Sequence, residues 1–363
     1  MGRCPVAILG TRTSSPTVDG RYVRVVSSAA PTVPVIGIGA LVADDTSQTE
    51  RSRVAVEIDR ACRSIGFFGI SGHGLDPQLF ERLDAAAREF FGLPETTKAE
   101  IAMPLAGAAW RGWFPVEGEL TSGRPDRKEG IYFGVEHARD HPRVVTPTPL
   151  HGTNQFPVRP PELRNAVLDW LTALRPIADA VMQGLALGLG LPAAWFENGV
   201  TADPTILFRI FHYPPTSQES TGDGWGVGEH TDYGLLTLLA QDDRGGLQVK
   251  ALDGSWLDVD PQPGVLVCNL GDMLERLTAG SYRSTPHRVR NTSGAGRLSF
   301  PYFFDPSWDA TVPTLPLDTT DGANERWDGQ DVLAWEGTYG DYLTSRVAKV
   351  FPDLFREVSS KAE

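Results

Sequence analysis

Between Thr205 and Phe304 the chain breaks into short apolar runs, with turn residues recurring roughly every 8–12 positions. That rhythm is the spacing of a β-sandwich or barrel. Turns favour glycine and proline, and the chain holds 38 and 28 of them in 363 residues, well above the ordinary combined share of about 12%. Hydrophobic residues at 41% and charged residues at 22% are normal globular values, so wholesale disorder is excluded.

Ahead of this stretch the periodicity is mixed. Residues 1–32, rich in Ser, Thr, Pro and Arg, read as a lead-in with a candidate strand from Tyr22 to Val26. Val33 to Ile38 is a β-branched run and the predicted first strand. Asp44 and Asp45 are the expected caps of a helix that places Val54, Ile58, Ala61, Cys62 and Ile65 on one face. Phe67 to Ile70 reads as a strand closed by Gly72-His73-Gly74. Asp76-Pro77 opens a second helix with Leu79, Leu83, Ala86, Phe90 and Phe91 in one stripe, and Gly92-Leu93-Pro94 ends it. Residues 103–160 read as loops with short strands. Glu162 to Leu189 is a long helix in which Pro176 marks a kink site, and Val332 to Val350 is predicted helical. The expected divisions are a lead-in at 1–32, a helix-and-strand part at 33–150, a long helix and its connection at 151–202, a β core at 203–306, and a C-terminal loop and helix at 307–363. Together they should form one structural unit.

The formal net charge is −13, from 33 Lys and Arg against 46 Asp and Glu. Such a surface repels phosphate, so neither a nucleic acid nor an anionic membrane is an expected partner. Cys4, Cys62 and Cys268 lie far apart with no C-x-x-C pair, which supports neither a zinc knuckle nor a disulfide framework and fits a reduced compartment. No apolar run reaches the roughly 18–20 residues that span a bilayer, and Pro5 to Leu9 is short for a secretory leader. The expectation is a soluble, cytoplasmic protein acting on a small molecule.

The chemistry concentrates in the β core. In Gly228-Glu229-His230-Thr231-Asp232-Tyr233-Gly234, His230 and Asp232 share one face of a strand because side chains alternate. A His-x-Asp pair alone is more often a turn or an ion pair than a metal site. The candidate third ligand is His287, in Ser284-Thr285-Pro286-His287-Arg288-Val289, where intervening strands allow a return beside the pair. Two imidazoles and a carboxylate on one face leave octahedral positions open, the facial triad of non-haem Fe(II) oxygenases. Further on, Arg297-Leu298-Ser299 puts an arginine and a hydroxyl on one strand face. An inward arginine needs an anionic partner, and Arg with a hydroxyl clamps a carboxylate. His73 reads as a turn residue, His137, His141 and His151 as exposed loop residues, and His212 as facing away from Tyr213.

From Arg209 to Pro306 the chain resembles the isopenicillin-N-synthase-like group of Fe(II)/2-oxoglutarate-dependent dioxygenases. The matching pieces are Tyr213-Pro214-Pro215, His230-Thr231-Asp232-Tyr233-Gly234-Leu235-Leu236-Thr237, Gly246-Leu247-Gln248-Val249 and Gly254-Ser255-Trp256. Asn269-Leu270-Gly271-Asp272, His287-Arg288-Val289 and Arg297-Leu298-Ser299 follow in order. Val33-Pro34-Val35-Ile36 and Gly66 to Gly74 resemble the family's leading strands, so the likeness spans roughly residues 33–350. It implies an α+β, mainly β fold: a double-stranded β-helix (jelly-roll, cupin-like) core flanked by helices. It implies an oxidoreductase that uses Fe(II), 2-oxoglutarate and O2 to oxidise a C–H bond of a small molecule by hydroxylation, desaturation or cyclisation, releasing succinate and CO2.

By the same resemblance His230, Asp232 and His287 bind the metal, Arg297 and Ser299 hold the distal carboxylate of 2-oxoglutarate, and Tyr213 adds a donor there. Phe211 stands where many plant members have Asn, which removes one polar contact. Arg209 shares strand parity with Tyr213 and is expected to meet either the other end of 2-oxoglutarate or a substrate carboxylate. Asn269 and Asp272 are read as strand and turn residues. Candidate substrate contacts are Trp113, Phe114, Glu119, Arg124, Tyr132 and Phe303, around Arg111-Gly112-Trp113 and Pro125-Asp126-Arg127-Lys128-Glu129, which resemble the family's R-G-[aromatic] and P-D-x-K-E segments. The acidic run from Asp318 to Asp331 reads as a solvated loop. Alternatives are an isopenicillin-N-synthase-like oxidase without 2-oxoglutarate, an ethylene-forming-type oxygenase, and a non-catalytic metal-binding β-barrel module.

Overall fold

Eight consecutive strands from Pro204 to Ser307 alternate between two sheets, and this alternation builds the core. The structure is a computed structural model and describes residues 32–121, 123–215, 225–317, 326 and 328–352. The candidate strand at Tyr22 to Val26 lies outside them. The strands are β1 (Val35–Gly37), β2 (Phe67–Ser71), β3 (Gly112–Phe114), β4 (Leu120–Thr121), β5 (Arg124–Pro125), β6 (Glu129–Gly134) and β7 (Pro204–Tyr213), then β8 (Val227–His230), β9 (Leu236–Gln241), β10 (Leu247–Lys250), β11 (Trp256–Asp258), β12 (Leu266–Leu270), β13 (His287–Val289) and β14 (Arg297–Ser307). The helices are α1 (Gly39–Val42), α2 (Gln48–Ser64), α3 (Pro77–Phe91), α4 (Glu95–Lys98), α5 (Pro142–Val145), α6 (Glu162–Gly188), α7 (Asp272–Leu277) and α8 (Tyr339–Val350).

The larger sheet runs β1-β2-β12-β9-β14-β7-β6-β3, and the smaller runs β11-β10-β13-β8. From β7 onward the chain visits larger, smaller, larger, smaller twice, larger, smaller, larger. That path is the expected double-stranded β-helix. The inner faces meet in an apolar cluster: Phe67, Tyr213 and Val267 of the larger sheet pack with Val227, Leu247, Val249 and Val289 of the smaller. On the outer face of the larger sheet, α6 packs against α2 and α3 through Trp170, Leu174, Val181 and Leu185, all fully buried. Burying a side chain of this kind contributes about 1.5–3 kcal/mol each, which fixes the larger sheet as a rigid wall.

Local signals explain the boundaries. Asp76 caps α3 through the Gln78 amide, with Pro77 in the first turn, as the sequence predicts. The cap of α2 is Ser47 rather than Asp44 or Asp45: its hydroxyl accepts from the Glu50 amide while the Glu50 carboxylate accepts from the Ser47 amide. Tail helicity starts at Tyr339 and not at Val332, because Thr338 and Asp341 form a second capping box there. Just upstream, the amides of Leu333 and Ala334 donate to the Asp331 carboxylate in a turn. No helix among the described residues is long and apolar enough to cross a membrane.

Candidate functional site

The smaller sheet supplies one wall of a cavity of about 380 Å³, a volume suited to a small ligand. His230 ends β8 and His287 begins β13, and the antiparallel register sets them directly opposite each other. Their ring centroids are 4.2 Å apart. Asp232 lies just past the end of β8, so backbone geometry beyond the strand, and not alternation along it, brings its carboxylate round. One ligand atom from each of His230, Asp232 and His287 lies within 4.8 Å of the others.

The neighbours of these groups decide which atoms face inward. His230 Nδ1 is 2.8 Å from the Gly228 carbonyl and His287 Nδ1 is 3.1 Å from the Thr285 carbonyl. A carbonyl only accepts, so each Nδ1 carries the proton and each Nε2 presents a lone pair. Those Nε2 atoms lie 4.0 and 3.8 Å from Asp232 Oδ1. Asp232 Oδ2 is occupied: it accepts from Thr237 Oγ1 at 2.5 Å and Asn269 Nδ2 at 2.7 Å. Burial alone would raise the Asp232 carboxyl, but His287, His230 and these two donors outweigh it and hold it below the ordinary carboxylate range. Burial, then the nearby His230, pushes His287 down to about 4, keeping it neutral at physiological pH. Two imidazoles and one carboxylate form a donor set able to hold a divalent metal ion.

Two glycines permit this crowding. A Cβ on Gly234 would collide with Asp305 Oδ1, and one on Gly271 would collide with the Gly234 carbonyl. Their absence lets α7 start against the site, where the Asp272 amide donates to the Asp232 carbonyl at 2.8 Å.

The larger sheet supplies the opposite wall. Arg297 pairs with Tyr213 and Ser299 with Phe211 across β14 and β7. Arg297 is fully buried, its Nε donating to the Gly245 carbonyl and its Nη2 to Gln241 Oε1, while Nη1 has no partner among the described residues. Its guanidinium sits 4.8 Å from the Tyr213 ring centroid, and the Tyr213 and Ser299 hydroxyls are 3.3 Å apart. The expected inward face of Arg297, Ser299, Tyr213 and Arg209 is therefore observed, with Phe211 on the same wall.

The remaining candidates divide. Glu119, Tyr132 and Phe303 line the cavity. Trp113 does not; its indole donates to Glu129 at 2.9 Å. Phe114 lies behind the lining, edge-on to Tyr132 and Phe351, and Arg124 is exposed on β5. Strand parity in 103–134 could not reveal this, because β3 and β6 join the larger sheet while β4 and β5 form a separate two-stranded sheet, and the sequence does not show which pairing each strand takes. Glu119 accepts from Tyr132 at 2.6 Å and pairs with Lys128, which also bonds Asp126. His212 accordingly faces away and is 2.9 Å from Glu129.

Other expectations are corrected. Asn269 is a partner of Asp232, not only a strand residue. Asp272 is a buried junction accepting from Ser284, Arg326, Tyr342 and Arg346. His137, His141 and His151 are half-buried, and the His137 ring packs in tilted geometry against both His141 and His151, with centroids 4.7 and 4.9 Å apart. Most of the run from Asp318 to Asp331 lies outside the described residues, but Asp328 lines the cavity and pairs with Arg326. Sequence reading missed Thr237, Asp305 and the face of α8 formed by Leu343, Arg346 and Val347. The amphipathic stripe of α8 was a usable signal for the last.

Comparison with known proteins agrees with this geometry. Residues 33–159 match the family model described as the N-terminal region of non-haem dioxygenases in morphine synthesis, and residues 204–306 match the 2OG-Fe(II) oxygenase superfamily. A probable iron/ascorbate oxidoreductase of Dictyostelium discoideum is 42% identical, covering 90% of this chain and 96% of that protein. A homoarginine-6-hydroxylase of Glycine max is 36% identical over 89% of this chain and 98% of its own length. Among solved structures, a full-length Neurospora crassa protein in complex with alpha-KG and thymine superposes with a TM-score of 0.71 at 27% identity, covering 87% of this chain and 96% of that one.

Proposed function

Because the chain belongs to the 2OG-Fe(II) oxygenase superfamily, we propose that His230, Asp232 and His287 hold its Fe(II) and that Arg297, Ser299 and Tyr213 hold the distal carboxylate of 2-oxoglutarate. One observation carries the reading. A three-member donor set with both Nε2 atoms turned inward shares a cavity with a buried guanidinium whose Nη1 lacks a partner among the described residues. Nitrogen and oxygen donors without thiolate suit iron over a structural zinc, and the unpartnered Nη1 suits an anionic cosubstrate.

Bound iron and 2-oxoglutarate supply the oxidising chemistry, in which O2 and the keto-acid are consumed and succinate and CO2 are released as a substrate C–H bond is oxidised. The chain's own residues do the rest. Thr237 and Asn269 orient Asp232 by occupying Oδ2, leaving Oδ1 as the ligand atom. Gly228 and Thr285 carbonyls set the tautomers of the two histidines. Tyr213 and Ser299 present hydroxyls beside Arg297, and Phe67, Leu239 and Leu247 keep the cavity wall apolar. We read the substrate as a small molecule held between Tyr132, Phe303 and α8. The names of the relatives support a small polar compound: homoarginine for the soybean protein, and thymine bound in the Neurospora structure.

Anaerobic titration with Fe(II) and 2-oxoglutarate tests the assignment. A visible charge-transfer band should appear, His230→Ala should abolish it, and Arg297→Gln should weaken 2-oxoglutarate binding by about tenfold or more. Fully active protein with no such band would refute the proposal.

A further inference from the structure

Among the described residues Arg209 is a buried cation that forms no ion pair. It is 8% exposed, lies on the cavity wall, and its Nη1 has no hydrogen-bond partner among the described residues. Its guanidinium carbon stands 3.5 Å over the Tyr132 ring and 5.1 Å from the Phe303 ring centroid. Stacking engages the faces of the guanidinium and leaves its N–H donors, which lie in the plane, pointing outward from the stack. The nearest acids are already committed. Glu119 is taken by Lys128 and Tyr132. Asp305 accepts from the Tyr339 hydroxyl at 2.6 Å and from the Leu235 amide at 3.3 Å. Neither forms an ion pair with Arg209.

A buried, unpaired charge is costly, and a guanidinium packed on aromatic rings with a free donor suits a carboxylate. The cosubstrate does not need this group. In the reading above, one carboxylate of 2-oxoglutarate sits at the metal and the other at Arg297. Tyr213 is opposite Arg297, and Arg209 lies four residues back along β7, about 13 Å of strand, on the same face.

We propose that Arg209 binds a carboxylate of the molecule that is oxidised, so that the substrates are small organic acids or amino acids. The carboxylate sits in the plane of the guanidinium between Tyr132 and Phe303, and the rest of the molecule lies against Leu343, Val347 and Phe351. This inference rests on Arg297 and Ser299 being the cosubstrate clamp.

The test uses acetate as a bare carboxylate probe and acetamide as its neutral counterpart. Wild-type protein and Arg209→Gln are loaded anaerobically with Fe(II) and saturating 2-oxoglutarate, which occupies Arg297. Thermal midpoints are then read against each probe at constant ionic strength. Acetate should raise the wild-type midpoint in a dose-dependent way, acetamide should not, and the variant should respond to neither. The 2-oxoglutarate titration of the variant should stay within about twofold of wild type. A tenfold loss of 2-oxoglutarate affinity would assign Arg209 to the cosubstrate and overturn the proposal. So would an equal acetate response in both proteins, or none in wild type. Absence of the charge-transfer band in wild type would instead refute the family-based site. Should Arg209→Gln fail to fold, Arg209→Lys keeps the charge without the planar fork, and its acetate response should be weaker than that of wild type. An undiminished response would overturn the proposal.

Discussion

At the scale of single residues, Asp232 shows how a carboxylate becomes a directed ligand. An isolated carboxylate offers two equivalent oxygens. Here Thr237 and Asn269 claim Oδ2, and the backbone of Asp272 ties the Asp232 carbonyl. Partners of this kind typically contribute 10–100-fold in metal affinity. Asn269→Ala should therefore weaken Fe(II) binding by about that factor in an anaerobic metal titration, with little change in fold by circular dichroism. Unchanged affinity would mean that Thr237 alone orients the carboxylate. His230, Asp232, His287 and Arg297 could be read from residue type and order. Asn269 could not be assigned its role, because its partner is set by the pairing of β12 with β9 and not by neighbours in sequence.

At the scale of elements, α8 closes the cavity through a buried polar junction. Asp272, the first residue of α7, accepts from Arg326 and Ser284 on one oxygen and from Tyr342 and Arg346 on the other. Tyr339 adds a bond to Asp305. Removing Asp272 takes the shared anion from two arginine side chains, each about 9% exposed; Arg326 keeps Glu275 and Asp328, so the loss falls mainly on Arg346. Asp272→Ala should cost about 3–5 kcal/mol in urea unfolding, the range for breaking a buried ion pair from one side. Hydrogen exchange in α8 should accelerate in the same variant, and unaltered exchange would show that apolar contacts hold the helix. The sequence marked a helix here from its periodicity. It overran the start by seven residues because periodicity ignores the capping box at Thr338 and Asp341.

At the scale of the whole molecule, the interior holds histidines that the net charge does not reveal. Burial, more than any neighbour, pushes His151 down to about 4, and His137 is lowered for the same first reason. An unfolded histidine titrates near 6.5. The unfolded chain therefore takes up protons first as pH falls, so the stability these neutral rings contribute is intact above about 6.5 and is lost between there and about 4. Asp305 runs the other way: burial raises its folded value to about 7, above the unfolded one, so its contribution is present at low pH and fades as pH rises through 7. The informative measurement is thus a difference. The urea midpoint of wild type should fall more between pH 7 and pH 5 than that of His151→Gln, and identical slopes would remove His151 from the account.

The sequence by itself determined the class of fold and the order of chemical groups. Turn spacing, strand parity and motif order are one-dimensional signals, and a two-residue period puts Tyr213 with Arg209, and Arg297 with Ser299, on shared strand faces wherever the strands lie. Tertiary structure decided everything that depends on register and convergence. It set His287 directly opposite His230, turned Oδ1 of Asp232 inward, moved Trp113, Phe114 and Arg124 off the cavity, and left Arg209 without an ion pair among the described residues. The physical reason is that a hydrogen-bond partner or counter-ion is fixed by distance in space, and strand pairing across two sheets makes that distance independent of separation along the chain.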